Sequence, residues 1–396
     1  MAQQPSQDQS SPLTPGTPGL RGMLLFLTHW IHEHYRLGIL IAVILVFGIL
    51  LLQRWQSYSR PIRVRIGTGP KGGSMLESIR IIGGVWQKDI ARLKVEQVPT
   101  EGTNEHLARL REAGDRHIDL ALVTEAPDQF LQIDPGLRAI GRVFENPLEI
   151  IARKTSGIQK LSDIKSGHRI ALPPRTAGSW VRVEILLKHY HLNDEPGVVF
   201  LESTTIDEVA QKLRDNRADV GFFGGAFPLP AVATELREGA NNYNFVDVEY
   251  ANAIAVSYPP FFAAKIPAGT YSANPPFPER DIVTIGSHIT LVGDKSLEQR
   301  IGTQMLYEMT ESLFENRSYL ARQYSGLSRM SEDLGKSRGG YPFFTGAEKY
   351  YERDKPINWG AWSFAGTAAG LVVAMLMLII ELRRKTFGRR SKTKRA

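Results

Sequence analysis

Two stretches of the chain show no polar alternation, and they frame everything else. Leu37 to Leu52 is an unbroken apolar run, and Gly360 to Ile380 is a second stretch of about 21 residues without a charge. A helix apolar all round has no face to give to water. Tyr35 and Trp55 flank the first run, and Trp359 and Trp362 mark the start of the second, as interfacial aromatics do. At about 1.5 Å per residue, a helix from Tyr35 to Trp55 spans about 30 Å, one hydrocarbon core. Both runs predict membrane-spanning helices, over residues 37–55 and 359–381. The first also reads as a signal peptide, since Ser57-Tyr58-Ser59 is a small-x-small tripeptide. The long lead before it favours an uncleaved signal-anchor.

Between these runs the periodicity becomes that of an α/β body. Arg63-Val64-Arg65-Ile66-Gly67 alternates and predicts a strand. Thr68 to Ser74 is a glycine-rich loop, and Met75 to Ile90 carries Leu76, Ile79, Trp86 and Ile90 on one helical face. A strand at Leu93 to Val98, a helix from Thr103 through about Ala113 and a strand at Ile118 to Val123 follow. Right-handed crossovers arrange such a β-α-β-α-β unit as an open parallel sheet. The pattern then restarts: strand Arg169 to Leu172, loop Pro173 to Ser179, helix Trp180 to Tyr190, strand Val198 to Leu201. Thr205-x-x-Glu208 is a capping box opening a helix, and Ala218 to Phe223 is a strand. A strand at Asp281 to Ser287 and one long helix from Ser296 to about Tyr319 read as the return into the first half. Two α/β lobes about a hinged cleft are expected within residues 56–357. Lobe 1 takes about 62–150 and 260–353, and lobe 2 about 151–259.

Composition narrows the chemistry. The 396 residues are 42% hydrophobic and 22% charged, enough for a sizeable core and against wholesale disorder. The absence of cysteine excludes a disulfide scaffold, a thiolate zinc site, an iron–sulfur cluster and a cysteine nucleophile. The net charge of +7 suggests a nucleic-acid partner, but the last 14 residues carry eight Lys or Arg and no acid. Taking those eight away leaves −1, so no nucleic-acid partner is expected. The tail, residues 382–396, instead sets a topology. It is expected in the cytoplasm, with residues 1–36 beside it and the body outside. That describes a two-pass protein of the inner (cytoplasmic) membrane, with the lipid bilayer as a partner. Residues 1–20, rich in Gln, Ser, Pro and Gly, read as a disordered lead.

Catalysis and metal binding find little footing. Thr176-Ala177-Gly178-Ser179-Trp180-Val181 is not Gly-x-Ser-x-Gly, and Lys71 precedes its glycines, which fails the Walker pattern. His29, His32 and His34 lack His-Glu-x-x-His spacing. No enzyme activity, metal or cofactor is expected.

A series of motifs, in order, resembles the TAXI family, the solute receptors of a class of TRAP transporters. These are Ile66-Gly67-Thr68-Gly69 with Gly72-Gly73, Thr100 to Leu107, Asp119 to Val123, Leu161 to Leu172, Ala218 to Pro228, Ile266-Pro267-Ala268-Gly269-Thr270-Tyr271 and Gly346-Ala347-Glu348-Lys349-Tyr350-Tyr351. They run from about residue 62 to 353. The resemblance implies a two-lobed, periplasmic-binding-protein-like α/β fold on the extracytoplasmic, periplasmic side. It implies closure on a small organic acid or acidic amino acid, and TRAP transporter membrane subunits as partners. The chain departs from the family at Ser74-Met75, where a tyrosine is frequent, and at Trp180, where a smaller residue is common. Both departures fall in the expected cleft.

Ligands of open α/β sheets sit outside the carboxyl ends of the strands, where both glycine loops lie. Each loop precedes a helix N-terminus, which attracts anions. The candidate ligand-binding residues are Thr68, Gly73 and Ser74 of the first loop and Arg175, Thr176, Gly178 and Ser179 of the second. Hydroxyls and N–H groups would hold carboxylate oxygens, and Arg175 would pair with one bidentately. Thr103, Asn104, Trp180 and Phe227 complete the set. The plainer reading is that the glycines only form turns, the hydroxyls cap helices, Arg175 is a surface charge and the aromatics pack in the core. The expected function is anchored capture of a small anionic organic solute by hinge closure, for a TRAP-type transporter. The alternative is an anchored sensor or scaffold with an altered cleft.

Overall fold

The computed structural model describes residues 44–50, 52, 61–70, 73–127, 134–239, 242–337 and 340–355. The chain divides into two units, Met1–Ile62 and Arg63–Ala396. In the first, residues 44–50 are helical, with exposed apolar side chains. The rest of the expected span at 37–55, apart from Leu52, lies outside the described residues, as do the segment 1–36, the span at 359–381 and the basic tail. No helix among the described residues is long and apolar enough to cross a membrane.

The second unit holds two sheets. The chain enters the first through β1 (Ile62–Gly67), β2 (Leu93–Val98), β3 (Leu120–Thr124) and β4 (Leu137–Pro147). The second comprises β5 (Glu149–Arg153), β6 (Arg169–Leu172), β7 (Val199–Glu202), β8 (Val220–Phe223) and β9 (Tyr243–Phe245), in the order β7-β6-β8-β5-β9. The chain returns by β10 (Phe262–Ile266), a small hairpin of β11 (Ser272–Ala273) and β12 (Pro276–Phe277), and β13 (Ile282–Asp294). This completes the first sheet in the order β10-β13-β3-β1-β2, with β4 also on β13.

The parallel cores follow the sequence pattern. β1 runs parallel to β3 with Ile66 beside Leu120, and β6 runs parallel to β7 and β8. The same latch closes both. Asp119 accepts the Arg65 N–H at 2.7 Å, and Asp219 accepts the Arg169 N–H at 2.8 Å. β3 and β8 are buried along their whole length, as strands covered on both faces are.

Two expectations need correction. Both sheets are mixed: β13 continues to Asp294 and lies antiparallel to β3 and β4, and β5 lies antiparallel to β8 and β9. Nothing in Ser287-His288-Ile289-Thr290-Leu291-Val292 interrupts an extended run. The long helix from Ser296 is three helices, Ser296–Ile301, Thr303–Glu315 and Arg317–Gln323. Gly302 breaks it at φ +87°, a left-handed conformation natural to glycine, and Asn316 breaks it again.

A single residue, Leu148, separates β4 from β5. Its N–H donates to Ile285 of β13 at 2.9 Å, and Pro147 lies beside Gly286. The outgoing chain thus crosses between the sheets beside the returning strand. A short pair of crossings is the geometry of a hinge.

Candidate functional site

The first loop is pinned by a chain of hydrogen bonds. Gly69 N–H donates to Thr100 Oγ1 at 2.8 Å, and Thr100 Oγ1 lies 2.6 Å from His106 Nε2. His106 Nδ1 lies 2.7 Å from the Leu122 carbonyl. A carbonyl only accepts, so Nδ1 carries the proton and Nε2 accepts from the Thr100 hydroxyl. Burial pulls His106 down to about 4, which keeps it neutral in this relay. Sequence reading passed over Thr100 and His106 as positioning residues. Their spacing, straddling the start of a helix, was the available signal.

The second loop is a pair of turns. Ala177 N–H donates to Pro174 and Trp180 N–H to Ala177, each at 3.0 Å. Arg175 points to the surface. Its Nε donates to Glu202 at 2.9 Å and its guanidinium lies 4.6 Å from the Trp180 ring centroid.

The two sides meet at glycines. A Cβ on Gly178 would overlap Thr124 Oγ1 and lie 2.9 Å from Thr103 Oγ1. One on Gly102 would lie 3.0 Å from the Thr176 carbonyl, and one on Gly225 would lie 3.2 Å from Ser74 Oγ. Absent side chains are what permit this approach. Beside the contact is a cleft of about 560 Å³. Gly73, Ser74 and Glu101 line one side and Thr176, Asp207 and Gly224 the other.

The candidate residues therefore separate. Gly73, Ser74 and Thr176 line the cleft. Thr103 and Gly178 face each other at the seam. Thr68 is buried, its N–H donating to the Val98 carbonyl at 3.0 Å. Asn104 is exposed and does not line the cleft. Arg175 is exposed, with half-buried Trp180 under its guanidinium. Phe227 is buried in the core of the second sheet, with the Arg329 guanidinium 4.8 Å from its ring centroid.

Ser179 sits at the start of the helix Trp180–His189, with its Oγ buried and without a hydrogen-bond partner among the described residues. One turn on is Arg182, which sequence reading missed. It is fully buried. Its Nη1 donates to the Asn146 carbonyl and, at 2.8 Å, to Ser287 Oγ, both on the crossing strands. Nε and Nη2 have no partner among the described residues. Burial pulls its pKa down to about 9, so the group is still a cation at neutral pH. Arg182 falls on the same helical stripe as the buried Ile185 and Leu186. That stripe placed it inside.

Two buried acids, by contrast, are matched. Arg142 donates to both oxygens of Glu125, from Nε at 2.8 Å and Nη2 at 2.6 Å. Glu149, at the start of β5, accepts from the Leu229 N–H at 3.1 Å and from the Tyr271 hydroxyl. Burial pushes Glu149 up to about 8. No cluster of acids and histidines suited to a metal ion occurs among the described residues.

The model of the NMT1-like family matches residues 66–353, more than two thirds of the chain. MatC from Rhodopseudomonas palustris, solved with bound malate, is similar over 74% of this chain and 98% of its own, at 14% identity and a TM-score of 0.45. An ABC uptake transporter substrate binding protein from Streptococcus pneumoniae, solved with bound histidine, is similar over 69% and 95%, at 13% identity and a TM-score of 0.44. The periplasmic VFT2 domain of BvgS from Bordetella pertussis is similar over 70% and 96%, at 14% identity and a TM-score of 0.41.

Proposed function

The chain belongs to the NMT1-like family, and from that premise we propose that its body captures a small anionic organic solute by closing two α/β lobes over it. One observation carries the reading. The 560 Å³ cleft takes its walls from loops at the strand ends of both sheets, beside a seam where glycines bring the two sides into contact. A cleft shared by two lobes joined through short crossings binds by closure. Closure then follows from better binding in the closed form.

Within this reading the receptor is of TAXI type and serves TRAP-type membrane subunits. Residues 37–55 and 359–381 anchor it in the inner membrane, the body stands on the extracytoplasmic side, and the tail 382–396 lies in the cytoplasm. The motifs from about 62 to 353, the apolar runs and the basic tail support these assignments.

The test is thermal unfolding of the full chain in detergent against dicarboxylates, keto acids, amino acids and neutral sugars. A bound solute at about 100 times its Kd adds about 2.7 kcal/mol, a shift plainly visible in the melting curve. Silence toward the whole panel from well-folded protein overturns the capture reading and favours an anchored sensor or scaffold.

A further inference from the structure

We infer that Arg182, with Ser179 beside it, holds the negative charge of the solute at the Gly224 end of the cleft. The inference rests on the capture reading above and assigns the group that makes the cleft select an anion.

Arg182 is a fully buried cation with no carboxylate partner among the described residues. Burying an unpaired charge is costly, and proteins meet that cost with a counter-charge. Here the guanidinium has one nitrogen on a carbonyl and a hydroxyl, and two nitrogens on nothing. Ser179, one turn earlier, has a buried hydroxyl that is also unmatched. Both groups converge on one place. A Gly224 Cβ would overlap Ser179 Cβ and stand 2.8 Å from Ser179 Oγ and 3.2 Å from Arg182 Nη2, so Gly224 packs directly on the pair. Gly224 itself lines the cleft, so a single residue without a side chain stands between the cleft and this pair.

The surroundings favour an anion there. Ser179 precedes and Arg182 lies in the first turn of a ten-residue helix, whose N-terminal end adds positive potential. The more obvious candidate, Arg175, is on the surface and paired with Glu202. The acids that line the cleft, Glu101 and Asp207, do not reach Arg182, since no ion pair to it forms. A carboxylate at Gly224 meets a cation in a poorly solvated place, where charge-assisted hydrogen bonds are strongest. Gly178 and Gly225, the chain neighbours of Ser179 and Gly224, meet Thr124 and Ser74 at the seam, so parting of the lobes uncovers this point.

The test uses the full chain in detergent, with acetate, succinate and glutamate as probes and glucose as neutral control, at matched ionic strength. Wild-type protein is expected to show a saturable rise in unfolding temperature with at least one carboxylate. R182M is expected to weaken that response at least about tenfold, R182K to fall between, and S179A to weaken it about threefold. If R182M folds poorly, R182K and S179A carry the comparison. A carboxylate response that R182M keeps within about twofold, or that R182K and S179A both leave unchanged, overturns the inference. A wild-type response to glucose alone also overturns it while leaving solute capture standing. Silence toward these probes and toward the whole panel above overturns capture itself.

Discussion

Two arginines lie near the junction of the sheets, Arg142 half-buried and Arg182 fully buried, and the protein keeps them differently. Arg142, on β4, meets Glu125 through two parallel hydrogen bonds, and its remaining nitrogen donates to Ser337 Oγ at 3.0 Å. Thr290 Oγ1 completes Glu125. Arg182, bonded to both crossing strands, has two of its three guanidinium nitrogens unmatched among the described residues. A matched buried charge holds structure together. An unmatched one marks where the fold awaits something from outside. The sharpest way to break this contrast is to remove each cation. R142M leaves the Glu125 charge buried alone and is expected to lower unfolding free energy by about 3–5 kcal/mol. R182M removes a charge that is already alone, so its stability without solute is expected to be unchanged or higher. Urea unfolding of the two variants measures both. A fall for R182M as deep as that for R142M would make Arg182 a structural residue.

The two sheets also answer pH in opposite directions. His106, under the first sheet, takes up a proton near 6.5 when unfolded and only near 4 when folded. Between those values the unfolded chain holds more protons, so stability falls as pH drops from about 6.5 to 4. His288 is pulled down to about 4 by burial and adds to the same limb. Glu149, in the second sheet, releases its proton near 4.5 when unfolded and near 8 when folded. Its contribution is full below 4.5 and is lost as pH rises through about 8. Each group bends the profile by at most about 1.4 kcal/mol per pH unit. E149Q is expected to flatten the decline between about pH 6.5 and 8 and to steepen the rise between about 4.5 and 6.5, where Glu149 opposes the histidines. Unfolding free energies from pH 4 to 9 decide it, and an unaltered alkaline slope in E149Q would sink the assignment.

A third comparison sets two glycines side by side. Gly178 faces Thr124 and Thr103 across the seam, whereas Gly84, on an exposed helical face, has nothing within 4 Å of its missing Cβ. G178A is expected to cost about 1–3 kcal/mol of whatever free energy favours the closed form, through overlap at the seam. It should therefore weaken solute response more than it lowers the unfolding midpoint. G84A is expected to stabilise by roughly 0.5–1 kcal/mol through helix propensity. Equal effects on response from the two would remove Gly178 from the closing surface.

How much of this was legible in the sequence depends on the range of the interaction concerned. Local patterns were readable. The alternation at 63–67, the capping box at Thr205 and the restart at Arg169 all answer to neighbours within a few residues. Long-range placement was not. That β13 would pair antiparallel with β3 depends on residues about 165 positions apart, Thr124 and Ile289. That Arg175 would turn outward depends on Glu202, which belongs to a different strand. Arg182 was hidden because a charge in Trp-Val-Arg-Val-Glu-Ile-Leu-Leu reads as a solvated helix position. Its place on the stripe of Ile185 and Leu186 was readable, but that the buried end would lack a carboxylate was not.

The smallest contrast is between two hydroxyls at helix starts in the second lobe. Thr205 Oγ1 accepts the Glu208 N–H at 3.1 Å, and Glu208 reaches back to the Thr204 N–H at 2.7 Å. That hydroxyl serves the helix Ile206–Arg214. Ser179 occupies the same position before Trp180–His189 but makes no capping bond. T205A is thus expected to cost about 1 kcal/mol, as loss of a working cap does. S179A deletes a buried hydroxyl that bonds to nothing, so it is expected to leave stability unchanged or raise it by under about 1 kcal/mol. The two curves in urea should separate in that order. If S179A destabilises as much as T205A, the Ser179 hydroxyl already serves the helix, and it has no free hydrogen bond to offer a ligand.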